Sequence, residues 1–155
     1  MKAITAFRIT QNRFARAAFD GEGARLYGGR WNSPGTAMVY LASSISLATL
    51  ELLVHTDDFT TIAGNYCIIE VEFDQSLVLK PPARELPMHW DSHVVSPATQ
   101  LYGDHWAQGL ASVVLEVPSA VVPAESVFLL NPRHKDFAKV EIGAAAHLRI
   151  DQRLR

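Results

Sequence analysis

A carboxylate falls on the apolar side of a short helical run. Glu51 sits inside Leu47-Ala48-Thr49-Leu50-Glu51-Leu52-Leu53-Val54. On a 3.6-residue period, positions 47, 50, 51 and 54 share one face. Three of the four are Leu or Val, so the pattern points Glu51 toward the interior. A buried carboxylate needs a partner or a task. Whatever this chain folds into must supply one.

The residues before Glu51 narrow the choice. Gly28-Gly29-Arg30-Trp31-Asn32-Ser33-Pro34-Gly35 reads as a loop that lets a guanidinium and bare amides approach an anion. Met38 to Ala42 reads as a short strand carrying Tyr40, and Ser43 or Ser44 then caps the helix of Glu51. Each residue has a plainer reading. Arg30 or Arg8 would pair with Glu51 as a structural ion pair, and Tyr40 would be a core tyrosine with its hydroxyl satisfied locally. Taken together, a cation for pyrophosphate, a ring for stacking and a carboxylate for a ribose are what a dinucleotide-cleaving site needs.

The remaining chain reads as an α+β domain spanning 1–155. Strands are expected over residues 3–9, 66–73, 77–80, 112–117, 127–130 and 137–142. A helical turn is expected over 14–19, a helix over 97–108 and a last element over 146–154. Asp20 to Ala24 reads as loop. The 155 residues carry a net charge of −2 with scattered basic side chains, which argues against general nucleic-acid binding. No apolar run approaches the roughly 20 residues of a membrane span, and no signal peptide precedes Arg8. The one cysteine, Cys67, lies among apolar residues. A soluble, cytoplasmic protein is expected. His89, His93 and His105 invite a metal reading, but Asp91-Ser92 is poor helix and Pro87 is close. No metal is expected, and the 89–93 segment reads as an exposed or partner-facing loop. No glycine-rich dinucleotide cradle or P-loop is present.

Phe7-Arg8, the Gly-Gly-Arg-Trp-Asn stretch, Val39-Tyr40-Leu41-Ala42, Leu47-Ala48 with Glu51, Val117-Pro118-Ser119-Ala120-Val121-Val122-Pro123, and Leu130-Asn131-Pro132 with His134 together resemble the RES domain. This is the toxin half of bacterial RES–Xre type II toxin–antitoxin pairs. The resemblance runs from about residue 7 to about residue 142. It implies a single compact domain like the ADP-ribosyltransferase toxin fold. It also implies that NAD+ is a substrate rather than a cofactor, degraded at the nicotinamide–ribose bond so that growth stops. The acceptor among family members is water, phosphate or a protein, so an ADP-ribosyltransferase acting on a cellular protein is the alternative. A non-catalytic binding module is the third reading. Arg30, Tyr40 and Glu51 carry over as catalytic residues. Arg8, Ser112, Ser119 and Asn131 carry over as the NAD+-binding set, with one of the two serines supporting the ribose or Glu51. The expected partner is an Xre-type helix-turn-helix antitoxin covering the site, and the resemblance allows for a dimer in that complex.

Overall fold

The computed structural model describes residues 2–57, 62 and 64–154. Among these residues seven strands and three α-helices follow the order β1 (Ala3–Gln11), α1 (Glu22–Tyr27), β2 (Val39–Ala42), α2 (Ile45–Val54), β3 (Tyr66–Asp74), β4 (Val78–Leu79), α3 (Pro97–Gly109), β5 (Val114–Pro118), β6 (Ser126–Leu130) and β7 (Glu141–His147). The strands form one sheet in the order β4-β5-β6-β2-β1-β3-β7. All neighbours are antiparallel except β4 and β5. The chain is therefore α+β, as its alternating patterns imply.

Side-chain alternation sorts the central strands into two faces. Leu115, Val117, Val127, Leu129 and Ala42 join Trp31, Leu47, Ala48 and Trp106 in one apolar cluster. Val39, Leu41, Val114, Phe128 and Leu130 join Val71 and Phe73 in the other. The sheet is covered on both sides, which explains the near-continuous apolar runs of β2, β5 and β6. In β3 the pattern is cleaner. Cys67, Ile69, Val71 and Phe73 are buried while Glu70 and Glu72 are exposed. Burial also pushes the Cys67 thiol above its ordinary pKa.

The sheet has a seam. β1 pairs with β3 over nine residues, Ala3↔Asp74 through Gln11↔Tyr66, but with β2 only at Phe7↔Ala42. Beyond that pair the strands part. Arg8 crosses the gap, donating from Nε to Ala18 O at 2.7 Å and from one terminal nitrogen to Tyr40 O at 3.2 Å.

Several expectations need correction. The helical stripe on α2 is not 47/50/51/54. Leu47 and Ala48 are buried, but Leu50 is 39% and Val54 58% exposed. Glu51 is half-buried, at the edge of the covered stripe. The helix is apolar nearly all round, so periodicity marked no unique face. Ser44, rather than Ser43, caps it, accepting from Leu47 N at 3.0 Å. Residues 22–27 form α1 instead of loop. Asp20 Oδ1 accepts from Glu22 N, and Glu22 pairs with Arg25 one turn on. The strand expected over 137–142 begins only at Glu141. Before it, a 3₁₀ turn over Lys135–Lys139 is opened by His134 Nδ1 accepting from Asp136 N at 3.0 Å. The last strand ends at His147, so the element expected over 146–154 is one strand end followed by irregular chain. β5 starts two residues after Ser112. No helix among the described residues is long and apolar enough to cross a membrane.

Candidate active site

Two sets of polar groups border the apolar cluster that contains Trp31, Leu47 and Trp106. The first is built on the loop after α1. Tyr40 projects from β2 beneath this loop, where its hydroxyl donates to Asn32 Oδ1 at 2.7 Å and accepts from Trp31 N at 2.9 Å. Gly29 makes that approach feasible. A Cβ there would lie 2.6 Å from the Tyr40 hydroxyl oxygen and 2.9 Å from its ring carbon Cζ. Asn32, fully buried, donates to Ala24 O at 2.8 Å and Thr36 O at 3.0 Å. The loop is thus fixed from inside, and Arg30 stands on it.

Arg30 uses one terminal nitrogen to donate to Trp90 O at 2.9 Å and Ser92 O at 2.8 Å. Its Nε and other terminal nitrogen bond no described protein group. A guanidinium has five N–H donors, so about three remain for a ligand. The 89–93 segment is therefore not simply an exposed loop. Its backbone is held by Arg30, and Trp90 stacks on Trp31 with ring centroids 6.2 Å apart. His89 and His93 on it are exposed. No three His, Cys, Asp or Glu groups cluster as metal ligands would among the described residues.

The second set joins α2 to the turn after β5. The Ser119 hydroxyl accepts from Val121 N and Val122 N, both at 3.0 Å, and donates to Glu51 Oε1 at 2.8 Å. With two amides on its lone pairs, the buried hydroxyl has one direction left for its proton, and Glu51 lies there. Glu51 Oε2 has no hydrogen-bond partner among the described residues. The same turn grips the start of α2, because Ser44 Oγ donates to Glu125 Oε1 at 2.8 Å. Helix and turn are pinned together at both the cap and the carboxylate. Ser119→Ala strands two amides, and is expected to cost about 1–3 kcal/mol of stability, read as a lower urea midpoint at unchanged m-value.

The ion pair expected as the plain reading of Glu51 is not formed. Among the described residues neither Arg30 nor Arg8 lies within 4.0 Å of a carboxylate oxygen, and the protein partners of both are carbonyls. Burial lowers the Arg8 pKa, partly opposed by Asp20, yet a guanidinium stays charged at any physiological pH. Two half-buried cations with no ion-pair partner within 4.0 Å among the described residues flank Tyr40, an arrangement suited to an anion.

Residues 5–151 match the family model described as the RES domain. The chain belongs to the RES toxin family. It is 40% identical over 131 residues to "Toxin Res" of Yersinia enterocolitica, covering 84% of this chain and 86% of that one. It is 37% identical over 119 residues to the "Prs ADP-ribosylating toxin" of a Sphingobium species, covering 75% and 73%. A chain of the M. tuberculosis MbcT–MbcA toxin–antitoxin complex shares the fold with a TM-score of 0.74 at 23% identity, over 95% of this chain and 85% of that one.

In this RES family member the two serines separate. Ser119 meets Glu51, whereas the Ser112 hydroxyl accepts from Trp106 Nε1 at 2.9 Å and donates to Val114 O at 2.8 Å. Ser112 and Asn131 lie at the Val114↔Leu130 end of the β5–β6 pair, and Ser119 lies at the Pro118↔Ser126 end. Four residues of strand put these ends about 13 Å apart. Asn131 is buried, donating to Ala107 O at 2.9 Å and accepting from Arg133 N at 3.0 Å. Its neighbour His134 contacts Leu110 O at 3.1 Å, so this turn of the RES domain closes on the C-terminal end of α3.

Burial is also the main reason that the Tyr40 phenol is pushed far above its ordinary value of 10.0, with the Asp104 charge adding and Arg30 opposing. The folded state keeps a proton that the unfolded chain releases near pH 10. Stability therefore falls as pH rises through about 10 toward the folded value. Tyr40→Phe removes this contribution. Melting curves taken between about pH 8 and pH 11 are expected to fall less steeply for the variant than for the parent.

Sequence reasoning passed over two residues that hold the Arg30 loop. Gln100 Nε2 donates to Gly29 O at 3.0 Å, and Asp104 accepts from Ser33 N at 3.0 Å. The available signal was Gly103, a helix-interior glycine that costs roughly 1 kcal/mol relative to Ala unless something must approach.

Proposed function

We propose that this RES family member is a toxin that cleaves the nicotinamide–ribose bond of NAD+, consuming the dinucleotide and arresting growth. The observation that carries this reading is the Ser119–Glu51 pair. A carboxylate is held by one oxygen on a fully oriented hydroxyl, and its other oxygen is free. A fixed anion of this kind stabilises positive charge that develops on a ribose as nicotinamide departs, and the departing base is neutral and needs no strong acid. The spare donors of Arg30 suit a pyrophosphate, and Arg8 at the seam supplies a second cation. Tyr40 supports the loop of Arg30 and shapes the pocket beside it. NAD+ enters as substrate, not as a resident cofactor.

Transfer to a protein is the second reading, favoured by the 37% identity to the ADP-ribosylating relative. In either case the expected partner is an antitoxin of helix-turn-helix type whose binding covers Glu51. The fold shared with a chain of a toxin–antitoxin complex supports the antitoxin partner. The deciding experiment induces the chain briefly without antitoxin and follows NAD+ and its products. Hydrolysis or phosphorolysis gives bulk NAD+ loss with free ADP-ribose or its phosphate. Transfer gives a labelled protein with modest NAD+ loss. Growth arrest at steady NAD+ with no labelled protein removes both.

A further inference from the structure

The helix that closes over the Trp31 loop carries a buried acid with no cation. Asp104 is 4% exposed. No ion pair of Asp104 is found within 4.0 Å among the described residues. Its Oδ1 accepts from Ser33 N at 3.0 Å, and its Oδ2 accepts the Ser33 hydroxyl. A buried carboxylate held only by neutral donors is expensive, and an apolar residue of similar size usually stabilises a helix face better. The core gives no reason to keep it.

The loop does. Positions 100, 103 and 104 share one helical face. Gln100 holds Gly29 O at 3.0 Å. A Cβ on Gly103 would fall 1.6 Å from Trp31 O, so helix and loop backbone are in direct contact there. Asp104 holds Ser33 by both its amide and its hydroxyl. The three residues grip the loop backbone before and after Arg30. Asp104 also lies close enough to Tyr40 to help raise its pKa, as Arg30 lies close enough to oppose that rise.

We propose that Asp104 is a positioning residue for Arg30, fixing Ser33 so that the free guanidinium donors face the NAD+ pyrophosphate. This rests on the NAD+ reading of the site. A carboxylate suits the site because it accepts from both the Ser33 amide and the Ser33 hydroxyl. An asparagine can accept from the amide but meets the hydroxyl with its own N–H, which reverses that bond and removes the charge.

The test measures kcat and KM for NAD+ consumption by the full chain carrying Asp104→Ala, Asp104→Asn, Arg30→Ala, or both alanine changes. Asp104→Ala is expected to raise KM about tenfold with kcat within about threefold, Asp104→Asn is expected to lie between it and the parent, and the double variant is expected to match Arg30→Ala alone. A loss in kcat at unchanged KM, or an Asp104 effect that persists in full when Arg30 is absent, overturns the proposal. If Asp104→Ala does not fold, Asp104→Asn and Ser33→Ala carry the same comparison. A parent that consumes no NAD+ sinks the NAD+ reading instead. Near-UV circular dichroism of the Trp31–Trp90 pair then decides the positioning claim. A changed spectrum in Asp104→Asn supports it, and a spectrum identical to the parent's overturns it.

Discussion

Glu51→Gln protein is expected to fold like the parent and to consume NAD+ about a thousandfold more slowly. The substitution keeps length and shape. A glutamine oxygen still accepts the Ser119 hydroxyl, so the cap, the turn and the packing of Leu47 and Ala48 are retained. What disappears is the negative charge facing the sugar. That charge sits half-buried, where water screens it poorly and where it needs no reorganisation when the ribose becomes cationic. Two measurements check this. The first is the initial rate of NAD+ loss with purified protein, and the second is colony formation on induction. A Glu51→Gln rate within threefold of the parent would remove Glu51 from the mechanism.

Arg30→Ala is expected to lower kcat/KM for NAD+ by roughly a hundredfold and to loosen the segment around Trp90. Two effects combine. The donors available to an anion are lost, and the Trp90 and Ser92 carbonyls lose the nitrogen that holds them at 2.9 and 2.8 Å. Arg30→Lys is expected to recover little, since one ammonium cannot hold two carbonyls and still present a planar set of donors outward. Limited proteolysis within 87–96 reads the structural half of the prediction, and NAD+ kinetics read the other. Unchanged kinetics in Arg30→Ala would show that the anion is held elsewhere.

Much of this site was legible from residue types and order. Arg30 next to paired glycines, Tyr40 on a short strand and Glu51 on the following helix are all where the patterns put them. The partner of Glu51 was legible only in part: a serine, Ser119 or Ser112, was expected to support the ribose or the glutamate, with the choice left open. A helix apolar on nearly every side has no periodic signature of its covered face, so Glu51 was expected inside, with an arginine ion pair as its plainer reading. Its partner is Ser119, 68 positions on, brought across by the pairing of β5 with β6 and of β6 with β2. No spacing rule reaches that far. The choice between Ser112 and Ser119 had the same cause, because it depends on which end of a strand faces α2. α1 was hidden by Gly23 within it and Gly21 just before it, and the 3₁₀ turn before β7 by a cap from a histidine ring, which is not among the usual capping side chains.

The meeting of β1 and β2 at Phe7↔Ala42 alone has a thermodynamic consequence. Seven strands share one sheet, yet the backbone ladder that would make them melt as one is interrupted at its middle. The β1-β3-β7 side and the β4-β5-β6-β2 side then behave as two cooperative units, coupled through side chains and the Arg8 strap. Native-state deuterium exchange is expected to show two plateaus of opening free energy, one for β3 amides and one for β6 amides. Substitutions placed on opposite sides of this divide should add in their effects on stability. Arg8, one cation of the candidate site, stands where the two units meet, so a bound dinucleotide would register as a merging of the two plateaus.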